Sequence, residues 1–201
     1  MRPASVALLL ALLISGLLPT ARAEERRTAL DRPLVLADSD GKTVTSDGFP
    51  GQWLLVYFGY THCADQCPTA LSAMVGALDE IGPAAAHIQP LFVTVDPERD
   101  HGATLRAFTA AFDQRLIGLT GSPEQVAAAA QALGIEYQKV LAGSDDYVID
   151  HSATLSLIGP DRREAVTFAV AEPYRIAARL IETLANGGVA LGNVNNLRAY
   201  R

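Results

Sequence analysis

The chain has 201 residues, 49% of them hydrophobic, with two cysteines and 16 Lys+Arg against 22 Asp+Glu. That is enough for one domain with a proper core, which excludes a disordered chain and a disulfide-scaffold miniprotein. Without residues 1–23 the balance is 14 positive against 22 negative side chains, a net −8. Nucleic acid, whose phosphates demand a basic footprint, is excluded as a partner. Two cysteines are also too few for a zinc ribbon or an iron–sulfur cluster.

Residues 1–23 read as a secretory signal peptide: Arg2, a thirteen-residue apolar run over 6–18, then Ala21-Arg22-Ala23 as a small-x-small cleavage site. Thirteen apolar residues fall short of the roughly 20 that cross a bilayer, although an uncleaved segment would serve as an inner-membrane anchor. The expected location is therefore the periplasm, an exported and oxidising compartment. Residues 24–186 form the expected domain. Residues 187–201, with Gly187, Gly188, Asn193, Asn195 and Asn196, read as a loose tail.

In chain order, a turn around Asp38 to Gly41 between short apolar stretches at 34–37 and 43–45 predicts an N-terminal β-hairpin. Apolar runs at 53–58, 91–95, 116–119, 153–158 and 165–170 have strand length and are bounded by Gly, Pro, Asp or Thr. Between them lie helical patterns at 68–81 and 103–112, and a third over 122–133. In that third helix Ser122 caps, Pro123 leads and Gln125 completes a capping box, and Gly134 stops it. The last helix starts at Pro173 and presents Ile176, Ala177, Leu180, Ile181 and Leu184 on one face. The last two strands read as a hairpin around Gly159-Pro160-Asp161. The sum is an α/β fold: a central mixed β-sheet flanked by helices, in a thioredoxin-like layout.

Both cysteines sit in Tyr57-Phe58-Gly59-Tyr60-Thr61-His62-Cys63-Ala64-Asp65-Gln66-Cys67-Pro68. Pro68 suits the first turn of a helix and disfavours helical dihedrals at Cys67, so the cysteines are expected in the loop that feeds the helix. There the helix N-terminus favours thiolates. Three chemistries compete for this loop. A structural disulfide over so short a loop would contribute only ~2 kcal/mol. A dithiol–disulfide oxidoreductase commonly has two intervening residues where this loop has three, and it keeps a proline before the facing strand, which is missing between Pro123 and Pro160. A copper site would use two soft thiolates, which select Cu(I), with an imidazole that adapts the site to Cu(II).

Of the four histidines, His87 and His101 are expected in solvent, and His62, adjacent to Cys63, is expected to point away from it. His151 is placed at the start of a strand whose beginning faces the cysteine loop. Asp96, Glu98 and Asp100 are read as a capped, solvated turn, too irregular for calcium. A Cys63–His151–Asp150 nucleophile lacks any inferable oxyanion hole. Met1 and Met74 are the only methionines, which excludes a methionine-rich copper path.

The stretch from Trp53 to Thr69 resembles the signature loop of the Sco/SenC family. The blocks Val95-Asp96-Pro97-Glu98-Arg99-Asp100, Phe112-Asp113, Ile117-Gly118-Leu119-Thr120-Gly121 and Asp150-His151-Ser152 follow in family order, covering roughly residues 30–185. The resemblance implies a thioredoxin-like fold and a non-enzymatic copper metallochaperone that serves assembly of cytochrome c oxidase. Its implied ligands for Cu(I) and Cu(II) are Cys63, Cys67 and His151, with Cys63 and Cys67 doubling as a redox-active dithiol. The implied partners are cytochrome c oxidase subunit II as acceptor of a binuclear copper centre, a periplasmic thiol reductant, and an upstream copper donor. Rival roles on the same residues are a thiol–disulfide reductant for the acceptor's cysteines and a copper or redox sensor. Ala64 departs from the family, which often has proline after the first cysteine.

Overall fold

A computed structural model describes residues 25–143 and 146–191; the expected leader and residues 192–201 of the expected tail lie outside them. In chain order the elements are β1 (Arg26–Ala29), β2 (Val35–Asp38), β3 (Thr43–Thr45), β4 (Trp53–Gly59), α1 (Gln66–Glu80), β5 (Ile88–Thr94), α2 (Gly102–Ala110) and β6 (Ile117–Thr120). They continue with α3 (Pro123–Leu133), β7 (Tyr137–Leu141), β8 (Tyr147–His151), β9 (Thr154–Ile158), β10 (Glu164–Ala169) and α4 (Pro173–Asn186).

All seven residues of β4 are buried, as expected of a continuous apolar run at the centre of a sheet covered on both faces. The main sheet runs β1-β10-β9-β4-β5-β6-β2-β3. Strands β4, β5 and β6 are parallel, and the links between them contain α1 and α2, because parallel neighbours need a long crossover. Strand β9 joins β4 antiparallel, with Tyr57 opposite Leu155, and β10 returns beside β9 through the expected hairpin. The unit β4-α1-β5 followed by β9-β10-α4 is the thioredoxin-like layout. The N-terminal hairpin forms as β2 and β3.

Helices α1 and α4 pack on each other. They approach closely at Gly76, where a Cβ would sit 3.2 Å from Pro173. Helix α4 buries Ile176, Ala177, Leu180 and Leu184. Helix α3 carries the complete Ser122–Gln125 capping box, and Gly134 ends it at φ 65°, in the left-handed region that glycine adopts without steric cost. Among the described residues, no helix is long and apolar enough to cross a membrane.

Two expectations are corrected here. Helix α1 begins at Gln66 rather than Pro68, so Cys67 lies inside its first turn. The first helical N–H groups have no partner within the helix, so proline at the third position costs little, and the Thr69 amide closes the turn on the Asp65 carbonyl at 3.2 Å. His151 ends β8 rather than beginning the next strand; β7 and β8 form a separate antiparallel ribbon with His151 opposite Tyr137.

Candidate metal centre

The carboxyl ends of β4 and β5, the start of α1 and the end of β8 converge, which is where α/β sheets generally place their sites. Cys63 lies in the turn after β4, its amide donating to the Tyr60 carbonyl at 3.3 Å. Four residues on, the Cys67 amide donates to Cys63 Sγ at 3.3 Å, so one helix-start amide is aimed at a sulfur. Both thiols are free; Cys67 is fully buried and Cys63 half-buried.

From the other side, His151 brings Nε2 to 3.3 Å from Cys67 Sγ. Its Nδ1 lies 3.2 Å from the Ser152 carbonyl. The carbonyl can only accept, so the ring proton is assigned to Nδ1 and the Nε2 lone pair faces the sulfur. The ligand atoms of Cys63, Cys67 and His151 all lie within 4.8 Å of one another. Among the described residues, no other group of three His, Cys, Asp or Glu side chains gathers this way.

Electrostatics correct one expectation. Burial, and then Cys63 beside it, push the Cys67 thiol up to about 12, so desolvation outweighs the helix terminus at this sulfur. Burial also lowers the His151 imidazole below its ordinary value, against the Ser152 carbonyl and Asp150, which pull it up. The pair is therefore a neutral thiol facing a neutral imidazole at pH 7. Two soft sulfurs and one nitrogen with an open approach suit a soft, low-coordinate metal ion.

The remaining histidines stay outside the trio. His87 and His101 are exposed; His62 turns to Thr61 Oγ1 at 3.1 Å and approaches Asp100 at 3.7 Å. Asp150 is exposed while His151 is buried, and Nδ1 meets a backbone carbonyl rather than a carboxylate, so no Cys–His–Asp relay is assembled. A concavity of about 610 Å³ lies around Trp53, Arg163 and Arg179, at the opposite end of β4 from the cysteines.

The loop from Asp96 to Asp100 is not the solvated turn expected from its charges. Asp96 and Asp100 have no exposed surface. Asp100 accepts from the Thr61 amide (2.7 Å), Thr61 Oγ1 (2.5 Å) and Thr94 Oγ1 (2.7 Å), tying this loop to the cysteine loop. Asp96 accepts from Tyr147 Oη at 2.8 Å and pairs with Arg99, whose guanidinium stacks 3.8 Å from the Tyr147 ring. These buried carboxylates brace β8, and thus His151, against the cysteine loop. Their position at the carboxyl end of a strand beside that loop was the available sequence signal.

A model of the SCO1/SenC family matches residues 22–186. The chain belongs to the SCO1/SenC family. The human mitochondrial SCO1 homolog is 38% identical over 146 residues, 69% of this chain and 48% of that protein. The bovine mitochondrial SCO2 homolog is 39% identical over 149 residues, 70% and 56%. The chain thus spans about half the length of the curated relatives it matches. Among solved structures, Arabidopsis thaliana ScoI with copper bound aligns with TM-score 0.73 and 32% identity over 79% of this chain and 99% of that one. Bradyrhizobium japonicum ScoI with copper bound aligns with TM-score 0.68 and 36% identity over 77% and 99%.

Proposed function

We propose that this member of the SCO1/SenC family is a periplasmic copper carrier. In this reading it holds one copper ion on Cys63, Cys67 and His151 and delivers it to the binuclear copper centre of cytochrome c oxidase subunit II. The gathering of the three ligand atoms within 4.8 Å carries the reading, and two related proteins solved with copper bound support it.

Loading requires Cys67 to surrender the proton that burial holds on it, so affinity falls with acid. His151 needs no such step, because its Nε2 lone pair already faces the sulfur. Half-buried Cys63 is the accessible ligand, the one an acceptor thiol or imidazole reaches first in a stepwise exchange. An upstream donor supplies copper, and a periplasmic thiol reductant keeps the dithiol reduced. The N-terminal segment delivers the chain to the periplasm, by cleavage or as an inner-membrane anchor.

One observation favours a second activity on the same residues: an accessible Cys63 beside a buried Cys67 is the asymmetry of an attacking and a resolving thiol. The Cys63 thiolate would attack an acceptor disulfide and release one acceptor thiolate; Cys67 would then displace the second, leaving a Cys63–Cys67 disulfide.

The reduced domain, titrated with Cu(I) without oxygen, is expected to bind one equivalent and, once oxidised, to give a coloured thiolate–Cu(II) form. His151→Ala should weaken Cu(II) binding more than Cu(I), since two thiolates still hold the soft ion. Absence of stoichiometric copper, with the dithiol still cycling, would sink the carrier and leave the reductant, which tolerates loss of His151.

A further inference from the structure

Two tyrosine rings clasp His151 edge-on, Tyr57 and Tyr60, each with its centroid 6.0 Å from the imidazole. Tyr57 differs in its hydroxyl. The residue is fully buried, and its hydroxyl oxygen has no hydrogen-bond partner. A buried hydroxyl without a partner is costly, and cores rarely keep one where phenylalanine would fill the same space. Its nearest polar company is the metal centre. Burial, and after it the neighbouring Cys67 and then Cys63, raise this phenol far above its ordinary value, so the hydroxyl stays a neutral donor beside Cys67. The ring and the sulfur meet over Gly59, where a Cβ would lie 3.0 Å from both Cys67 Sγ and Tyr57 Cε1. No larger residue at that position would leave the two in place.

In the metal-free protein Cys67 is a thiol whose sulfur is a weak acceptor and whose proton faces His151 Nε2. Once the proton leaves and the sulfur ligates, it becomes an anionic acceptor next to an unused donor. We propose that Tyr57 is a positioning residue whose hydroxyl donates to the Cys67 thiolate in the copper-loaded state, stabilising that sulfur as a ligand. This rests on the copper-carrier reading and adds a fourth participant to its site. Hydrogen bonds to ligating sulfur draw off its electron density, and outer-shell partners of this kind are typically worth 10–100-fold in metal affinity. The role belongs to the loaded state alone.

The test compares Tyr57→Phe with the wild type in three measurements: Cu(I) affinity against a chromophoric chelator, the sulfur-to-Cu(II) charge-transfer band, and the melting temperature of the metal-free protein. The expected variant binds Cu(I) roughly tenfold more weakly. Its band moves to longer wavelength, because a sulfur without its hydrogen bond gives up electrons more readily. Its metal-free form melts at the same temperature or higher, since an unpartnered hydroxyl has been removed. Unchanged affinity and an unchanged band overturn the proposal while leaving the carrier intact. So does a metal-free variant that melts clearly lower, which would mean that the hydroxyl is already partnered. A wild type that binds no copper overturns the carrier reading and this role with it.

Discussion

Asp100 is a fully buried carboxylate with no cationic side chain in hydrogen-bond contact; what surrounds it is three donors, two from Thr61 and one from Thr94. Burying a charge is unfavourable unless hydrogen bonds replace its water, and here they also fix the backbone two residues before Cys63. Asp100→Ala would leave the buried Thr94 hydroxyl without its acceptor and release the half-buried Thr61 amide and hydroxyl, for which water and His62 are the remaining partners. The expected loss is about 2 kcal/mol, the middle of the range for one orphaned buried group, read as a lower urea midpoint of the metal-free protein. Copper affinity should fall as well, because the turn carrying Cys63 is no longer held to the strand end. Asp100→Asn keeps an acceptor and should recover part of both losses.

At the scale of elements, the fold was legible wherever one segment declares itself. The unbroken apolar run of β4, the capping box of α3 and the glycine–proline turn between β9 and β10 are local statements about backbone and burial. Strand β1, Arg26 to Ala29, carries almost no apolar signal, because it pairs at the sheet edge with three of its four residues exposed. The β7–β8 ribbon was missed for a related reason: Val140 and Val148 lie opposite each other and remain 41% and 45% exposed, so neither strand reads as half of a core. The cysteines of the site were plain from their spacing, whereas His151 came from family resemblance. The carboxylate bracing was hidden, since Asp100 meets Thr61 and Asp96 meets Tyr147 across 39 and 51 residues, distances no local periodicity records. Local features also make separable predictions. Ser122→Ala removes the side-chain acceptor for the Gln125 amide at 3.2 Å and should lower stability by about 1 kcal/mol in chemical denaturation. Because α3 packs on β2, away from the cysteine loop, the same variant should bind copper as the wild type does.

The molecule as a whole couples the site to folding, because its cysteines and its histidine come from parts of the chain far apart in sequence, and Cys67 and His151 are desolvated when they meet. Two of them change the proton balance of folding in opposite pH ranges. His151 has a folded pKa below its unfolded value of 6.5, lowered chiefly by burial; the unfolded chain takes up its proton first, so stability declines as pH falls below about 6.5. Cys67 has a folded pKa near 12 against an unfolded 9.0. Here the folded chain keeps the proton longer, and the stability it contributes, complete below pH 9, is lost progressively between about 9 and 12. The metal-free reduced protein should therefore be most resistant to urea between roughly pH 6.5 and 9, falling on either side. Copper removes the alkaline limb, since the Cys67 proton leaves on loading and none remains to be lost. On the acid side it has the reverse effect, because protons then compete with the metal for both sulfurs and for His151 Nε2. Urea midpoints across pH 5 to 11, with and without one equivalent of Cu(I), check both limbs. An alkaline decline of equal slope in the two forms would show that Cys67 is not where copper displaces a proton.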